Sequence, residues 1–131
     1  MGAAMEPGRG GRIAVVADAN ALMMPFQFSI NIDIELSRLL GNYEIVVPSS
    51  VIVELKRVAL EQKASQARGA LKLAAKYRTH KIDGTGDDAV LAAAIELGAV
   101  LLTNDAGLRR RAREAGLRTV CLRGRSHLEL V

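Results

Sequence analysis

The sequence predicts an α/β domain of three layers, with helices on both faces of a central, mostly parallel sheet of about four to five strands. Two observations lead there. Half of the residues are hydrophobic but only 3% are aromatic and there is no Trp. The core must therefore be built from Val, Leu, Ile and Ala, which suits parallel strands packed under Ala-rich helices. From residue 13 onward, short β-branched runs alternate with helical patterns, which implies right-handed βαβ crossovers.

The leader "MGAAMEPGRGGR" (1–12) lacks the apolar centre of a signal peptide, and Glu6 stands where a myristoylation motif wants Ser or Thr. It is read as a flexible segment ahead of one domain spanning 13–131. "IAVVA" (13–17), "EIVVP" (44–48), "AVLLT" (99–103) and "TVCLR" (119–123) are short and β-branched, as buried strands should be. Between them, "NIDIELSRLLG" ends on a Gly41 stop signal and "SSVIVELKRVALEQKA" opens on Ser49 and Ser50 as N-cap candidates. "DDAVLAAAIELG" closes at Gly98, and "AGLRRRAREAG" follows Asp105 with Leu108, Ala112 and Ala115 as its expected buried stripe.

Composition narrows the chemistry. Lys and Arg outnumber Asp and Glu by 18 to 14 in 131 residues, which favours a polyanionic partner. The single Cys121 excludes an internal disulfide, and with the widely spaced His80 and His127 it makes no recognisable zinc site. A metal here would be held by oxygen. The apolar runs are too short to span a bilayer, so no membrane association is expected and the chain is placed in the cytoplasm.

In open α/β sheets, ligands bind beyond the carboxyl ends of the strands. Asp18 follows the first strand, Glu54 lies in the first turns of the helix after "EIVVP", and Asp105 follows "AVLLTN". Asp87 reaches the same edge only if "KIDGTG" returns there. Each acid also has a purely structural reading, since carboxylates cap helices and suit their first turns. At about 100° per residue, however, Val90, Leu91, Ala94 and Gly98 cluster around the direction of Asp87, while Asp88 points roughly 100° away. Carboxylates gathered in one partly buried place repel one another unless a cation sits among them, and Mg²⁺ or Mn²⁺ with oxygen ligands fits that need.

"VVADANALM" with Asp18 and Asn20, "VPSSVIVELKR" with Glu54, "GTGDDAVLAAAIELG" with Asp87 and "VLLTNDAGLRRR" with Asp105 together resemble the PIN-domain family of nucleases. The likeness runs from residue 13 to about 123, with Ala19 standing where Thr or Ser is frequent. It implies a parallel sheet, a groove holding Mg²⁺ or Mn²⁺, and hydrolysis of RNA. The matching positions make Asp18, Glu54, Asp87 and Asp105 the catalytic acids. Asp18, Asp87 and Asp105 are the expected metal ligands, with Asn20, Asp88, Thr103 and Asn104 as supporting polar groups. Within the family, "MMPFQF" resembles archaeal stand-alone PIN proteins related to ribosomal-RNA-processing nucleases, and VapC-type toxins. The corresponding partners are RNA, a ribosomal precursor, an antitoxin and a second copy of the chain.

Metal-assisted phosphodiester hydrolysis needs no His or Ser nucleophile. Arg109, Arg110 and Arg113 are the candidate RNA contacts, with Arg111 using its stem to cover the core. A second basic series, Lys56, Arg57, Lys63, Arg68, Lys72, Lys76, Arg78 and Lys81, extends the candidate groove. Met23, Met24, Phe26 and Phe28 pack inside or present an apolar surface to a partner. A haloacid-dehalogenase-type phosphatase would need an acid where Asn20 stands, and a receiver domain a Lys after a late strand. The glycine clusters lack the dinucleotide fingerprint after a strand; Gly84 and Gly86 make the turn before Asp87. The remaining alternative is a PIN module of weak or no catalytic activity that binds RNA or protein.

Overall fold

The computed structural model describes residues 9–61 and 64–131. Residues 1–8 of the leader, and Lys63 of the second basic series, lie outside the described residues. The rest of the leader includes a short 3-10 turn, Arg9–Gly11.

The four apolar runs form β1 (Ile13–Ala17), β2 (Tyr43–Pro48), β4 (Val100–Leu102) and β5 (Thr119–Arg123). Two further strands, β3 (Arg78–His80) and β6 (His127–Leu130), complete a six-stranded sheet in the order β3-β2-β1-β4-β5-β6. Four of the five pairings are parallel and only β5 with β6 is antiparallel. The sheet thus has one strand more than the upper end of the expected range. Both additions are edge strands without a continuous apolar run: "RTH" is polar, and "HLEL" alternates, burying Leu128 on one face.

Among the described residues, six α-helices flank the sheet: α1 (Ala19–Met23), α2 (Ile32–Leu40), α3 (Ser49–Val58), α4 (Ala64–Ala74), α5 (Gly86–Leu97) and α6 (Ala106–Glu114). Their ends follow from local chemistry. Asn31 caps α2 by accepting from the Ile34 amide at 3.0 Å, and Gly41 ends it at a positive φ of 75°. Gly98 closes α5 in the left-handed conformation, where a Cβ would be penalised. Neither Ser49 nor Ser50 caps α3, because Pro48 holds the cap position without a side-chain bond. Ser49 Oγ instead accepts from the Ile82 amide at 3.0 Å and donates to its carbonyl at 3.2 Å, fastening the segment after β3 to the start of α3. The helix expected over "SSVIVELKRVALEQKA" ends at Val58, and a separate helix, α4, begins at Ala64.

The core is aliphatic, as the composition requires: Val15, Val16, Val46, Val47, Leu101 and Leu102 are wholly buried in the sheet, under Leu22, Leu36, Leu55 and Leu108. Leu108 and Ala112 bury as expected, but Ala115 is exposed because α6 ends before it and Leu117 takes its place inside. The "MMPFQF" segment divides. Met23 and Met24 are buried, while Phe28 is half-buried under the Arg125 guanidinium, 5.8 Å from the ring centroid. Phe26 is 44% exposed and lies against Gly69 so closely that a Cβ there would come within 2.7 Å of the ring. At the other end of the sheet, Asp33 receives the hydroxyls of Tyr43 and, at 2.8 Å, Tyr77, joining α2 to β2 and the end of α4.

Strand order reverses between β1 and β4. From β1 the chain proceeds to β2 and β3 on one side, and from β4 to β5 and β6 on the other. This is the switch point at which helices diverge and a crevice opens at the carboxyl edge. Ala17 is in register with Leu102, so Asp18 and Thr103 leave the sheet side by side. Among the described residues, no helix is long and apolar enough to cross a membrane.

Candidate active site

Asp18 is the residue on which the switch-point crevice is built. It caps α1, with Oδ1 accepting from the Ala21 amide at 2.8 Å, and its Oδ2 accepts the Thr103 hydroxyl. Burial pushes its carboxyl up from 3.8 to about 6. The Thr103 and Ala21 hydrogen bonds oppose that shift, while the charges of Asp87 and Asp105 add to it. Two of the other expected acids therefore act electrostatically on the same carboxylate.

Thr103 is wholly buried and engaged on both sides, because its Oγ also accepts from the Asp105 amide at 3.1 Å. One hydroxyl thus sets Asp18 and the backbone of Asp105 relative to each other. Asp105 is exposed and caps α6, its Oδ1 accepting from the Leu108 amide at 2.8 Å. A Cβ at Gly107 would stand 3.2 Å from that same oxygen, so the glycine leaves the carboxylate its room.

A cavity of about 120 Å³ opens beside Asp18 and is lined by Asn20, Ser50, Glu54 and Asp87, with Val51 and Val90 as apolar walls. It is roomy enough to admit water. Asp87 is exposed at the start of α5, after a turn in which Gly84 and Gly86 adopt φ of 91° and 64°. Glu54 Oε2 lies 2.7 Å from Arg57, which also reaches Glu61 at 2.8 Å. The structure brings Asp18, Glu54, Asp87 and Asn20 to one cavity, whereas Asp105 stands outside its wall. Among the described residues, no three Asp, Glu, His or Cys side chains are grouped closely enough to form a ready metal cage.

The other expected site residues are placed differently. Asp88 is turned toward Arg111, 2.7 Å away, which links the first turn of α5 to α6. Arg111 is exposed and makes this ion pair instead of covering the core with its stem. Asn104 accepts from the Leu122 amide at 2.8 Å and donates to the Met24 sulfur at 3.2 Å, so it fastens β5 and the segment after α1 to the end of β4. Arg109 is half-buried and donates to the Thr103 carbonyl at 3.4 Å, while Arg110 and Arg113 are exposed on α6. His80 pairs with Glu96 at 2.9 Å, and neither His80 nor His127 lines the cavity.

Ser50 was absent from the expected site, since Ser-Ser before an apolar run reads as a cap. Its signal was positional: it stands four residues before Glu54, one helical turn away on the same face. Its Oγ is buried and has no hydrogen-bond partner among the described residues.

Comparison with known proteins follows the same lines. A family model described as a PIN like domain matches residues 15–125. The chain is 29% identical over 116 residues to Ribonuclease VapC9 of Archaeoglobus fulgidus, covering 86% of this chain and 85% of that one. It is 32% identical over 127 residues to Ribonuclease VapC4 of Methanocaldococcus jannaschii, covering 88% and 95%. Among solved structures, the PIN domain endonuclease Utp24 superposes with a TM-score of 0.74 at 21% identity over 92% of each chain. A domain of a functionally unknown protein from Methanocaldococcus jannaschii gives 0.64 at 18% identity, over 90% of this chain and 97% of that one. The match of the family model across nearly the whole folded chain, on a sheet whose acids gather at its switch point, shows that this protein belongs to the PIN-like domain family.

Proposed function

We propose that the chain is a divalent-metal-dependent endoribonuclease that hydrolyses RNA phosphodiester bonds beside Asp18, with Mg²⁺ or Mn²⁺ as its cofactor. The observation that carries the reading is the state of the Asp18 carboxylate. It is fixed by Thr103 and the Ala21 amide, pushed up to about 6, and lies in the field of Asp87 and Asp105. Such an arrangement is relieved by a cation. Two relatives that cover most of the chain are named ribonucleases, which supports the substrate class.

The residues present fit such an ion. The donors at the cavity are hard oxygens, and its volume leaves room for water as well as metal. With no preformed three-carboxylate cage among the described residues, the fitting occupant is an ion that keeps most of its water shell and is held by few carboxylates. Asp18 and Asp87, which both line the cavity, would hold it, with Asp105 and Glu54 adding negative charge nearby. When bound, the ion lowers the pKa of a water and neutralises charge on the phosphate.

The protein's own part is orientation. Thr103 and the Ala21 amide favour the ionised form of Asp18 and aim its two oxygens. Arg110 and Arg113, exposed on the helix that Asp105 caps, offer positive charge to RNA phosphates. In the cell we place the enzyme in the cytoplasm, either as a VapC-type toxin restrained by an antitoxin or in the processing of a ribosomal precursor. Phe26 is the exposed ring through which a partner or second copy would dock.

A second reading rests on the same absence of a ready cage: a PIN module with weak or no catalysis that binds RNA or protein. Incubating RNA with the wild-type chain and with Asp18→Asn, in Mn²⁺ and in EDTA, separates the two. Cleavage by the wild type alone, and only with metal, supports the nuclease; RNA binding without cleavage supports the module.

A further inference from the structure

Two aromatic rings lie outside the Asp18 cavity but on the same edge of the sheet. Phe26 and Phe28 belong to the segment that follows α1, the helix Asp18 caps, and Arg125 belongs to the turn after β5. Since β1, β4 and β5 run parallel, that turn leaves the sheet at the carboxyl edge, where Asp18 and Asp105 also stand. Asn104, next to Asp105, joins the two sides. It donates to the Met24 sulfur at 3.2 Å and accepts from the Leu122 amide at 2.8 Å. Pro25 continues the chain from the first of these contacts, and Arg125 lies just beyond the second.

Between the two sides is an open hollow of about 450 Å³, lined by Pro25, Phe26, Gln27, Phe28 and Arg125 together with two serines. The Arg125 guanidinium stands 5.8 Å over the Phe28 ring, and Phe26 is 44% exposed. Aromatic faces and guanidinium planes are the groups on which unpaired bases stack. The segment is braced before anything binds: the amides of Gln27 and Phe28 donate to the Met24 carbonyl at 3.0 and 2.9 Å, and the Gln27 side chain reaches Gln66 of α4 at 3.1 Å. The lining carries one positive charge and no acid, which suits the nucleotides of a polyanion. Phe26 also lines a separate hollow with Ile30 and Leu73, so its use in docking a partner does not compete for Phe28 and Arg125. We propose that the hollow is a nucleobase subsite, in which an unpaired base of an RNA strand passing Asp105 stacks against the Phe28 ring and the Arg125 guanidinium. This rests on the RNA part of the reading above, and it adds a preference for unpaired bases to the phosphate contacts of α6.

The test is binding measured by fluorescence anisotropy in EDTA, where no cleavage is expected, for the full wild-type chain, Phe28→Leu and Arg125→Gln. Two probes are compared: a short single-stranded RNA, and its abasic counterpart, which keeps the ribose-phosphate chain without the bases. Phe28→Leu keeps an apolar side chain against the core, and Arg125→Gln changes an exposed turn residue, so the second variant decides if the first folds poorly. The wild type is expected to bind the base-bearing RNA about fivefold or more tighter than the abasic one. Each variant should narrow that preference at least about threefold. Phe28→Leu should leave the salt dependence of binding unchanged, since it removes no charge. Equal binding of the two RNAs by the wild type overturns this proposal alone, as does a preference that survives in every variant that folds. A wild type that binds neither RNA overturns the RNA reading and this proposal with it. A wild-type dimer in sedimentation that either variant dissolves, with the preference for bases intact, gives the hollow to a second copy and also overturns the proposal.

Discussion

The Thr103 hydroxyl, at the end of β4, donates to the Asp18 carboxylate, which lies 85 residues earlier in the chain at the end of β1. The bond is made possible by the parallel register that places Ala17 beside Leu102. Because the same oxygen accepts from the Asp105 amide, Thr103 joins the two strand ends on which the candidate chemistry depends. Thr103→Val keeps the shape and removes both bonds. It is expected to cost roughly 1–3 kcal/mol of stability by leaving buried polar groups unpaired, and to push the Asp18 carboxyl higher still. Thr103→Ser should restore both, and chemical denaturation at two pH values checks the series.

Asp18 itself makes stability depend on pH. Its carboxyl is raised to about 6 in the folded protein from 3.8. The raised value favours folding fully below about pH 4, and that contribution is lost as the pH climbs through about 6. At about 1.36 kcal/mol per unit, the loss is roughly 3 kcal/mol at most. Asp18→Asn should therefore melt higher than the wild type at pH 8 in EDTA, and show little gain at pH 4. Equal shifts at both pH values would contradict the burial of a charged carboxylate there.

The two aspartates at the start of α5 should separate in a metal titration. Asp87 lines the cavity and Asp88 is engaged by Arg111. Asp87→Asn is expected to weaken Mn²⁺ binding about tenfold or more, and Asp88→Asn by less than about threefold, since it removes only an exposed ion pair worth about 1 kcal/mol or less. Calorimetry on the two variants reads this directly.

Much of this arrangement was legible beforehand because it rests on pattern. β1, β2, β4 and β5 are apolar runs, and Asp18 and Asp105 fall where such strands end at a sheet edge. The edge strands β3 and β6 were not legible, since "RTH" is polar and "HLEL" is only four alternating residues, and both take strand form by pairing. Side-chain partners were also hidden. Nothing in the "RRR" run distinguishes Arg111, bound to Asp88, from Arg110, and nothing in "SS" tells Ser49, held by Ile82, from Ser50. Those distinctions arise from contacts across 23 and 33 residues, which no local periodicity encodes.

The arginines of α6 make a further separable expectation. Arg109 donates to the Thr103 carbonyl, so Arg109→Gln should disturb the site as well as RNA binding. Arg110 and Arg113 point outward, and changing both to Gln should flatten the log–log salt dependence of RNA binding by about one unit per lost phosphate contact while leaving Mn²⁺ affinity unchanged. An unchanged slope with normal folding would move the RNA path to the exposed lysines of α3 and α4.

The central claim is that the carboxylate of Asp18 supports metal-dependent RNA cleavage, and one measurement bears on it most directly. RNA ends are mapped by sequencing after the purified wild type and Asp18→Asn act on the same RNA pool, with Mn²⁺ and with EDTA. The expected result is a set of new ends made by the wild type in Mn²⁺ alone, absent from Asp18→Asn and from every EDTA sample. Identical ends from the wild type and Asp18→Asn, or ends that persist in EDTA, would contradict the account.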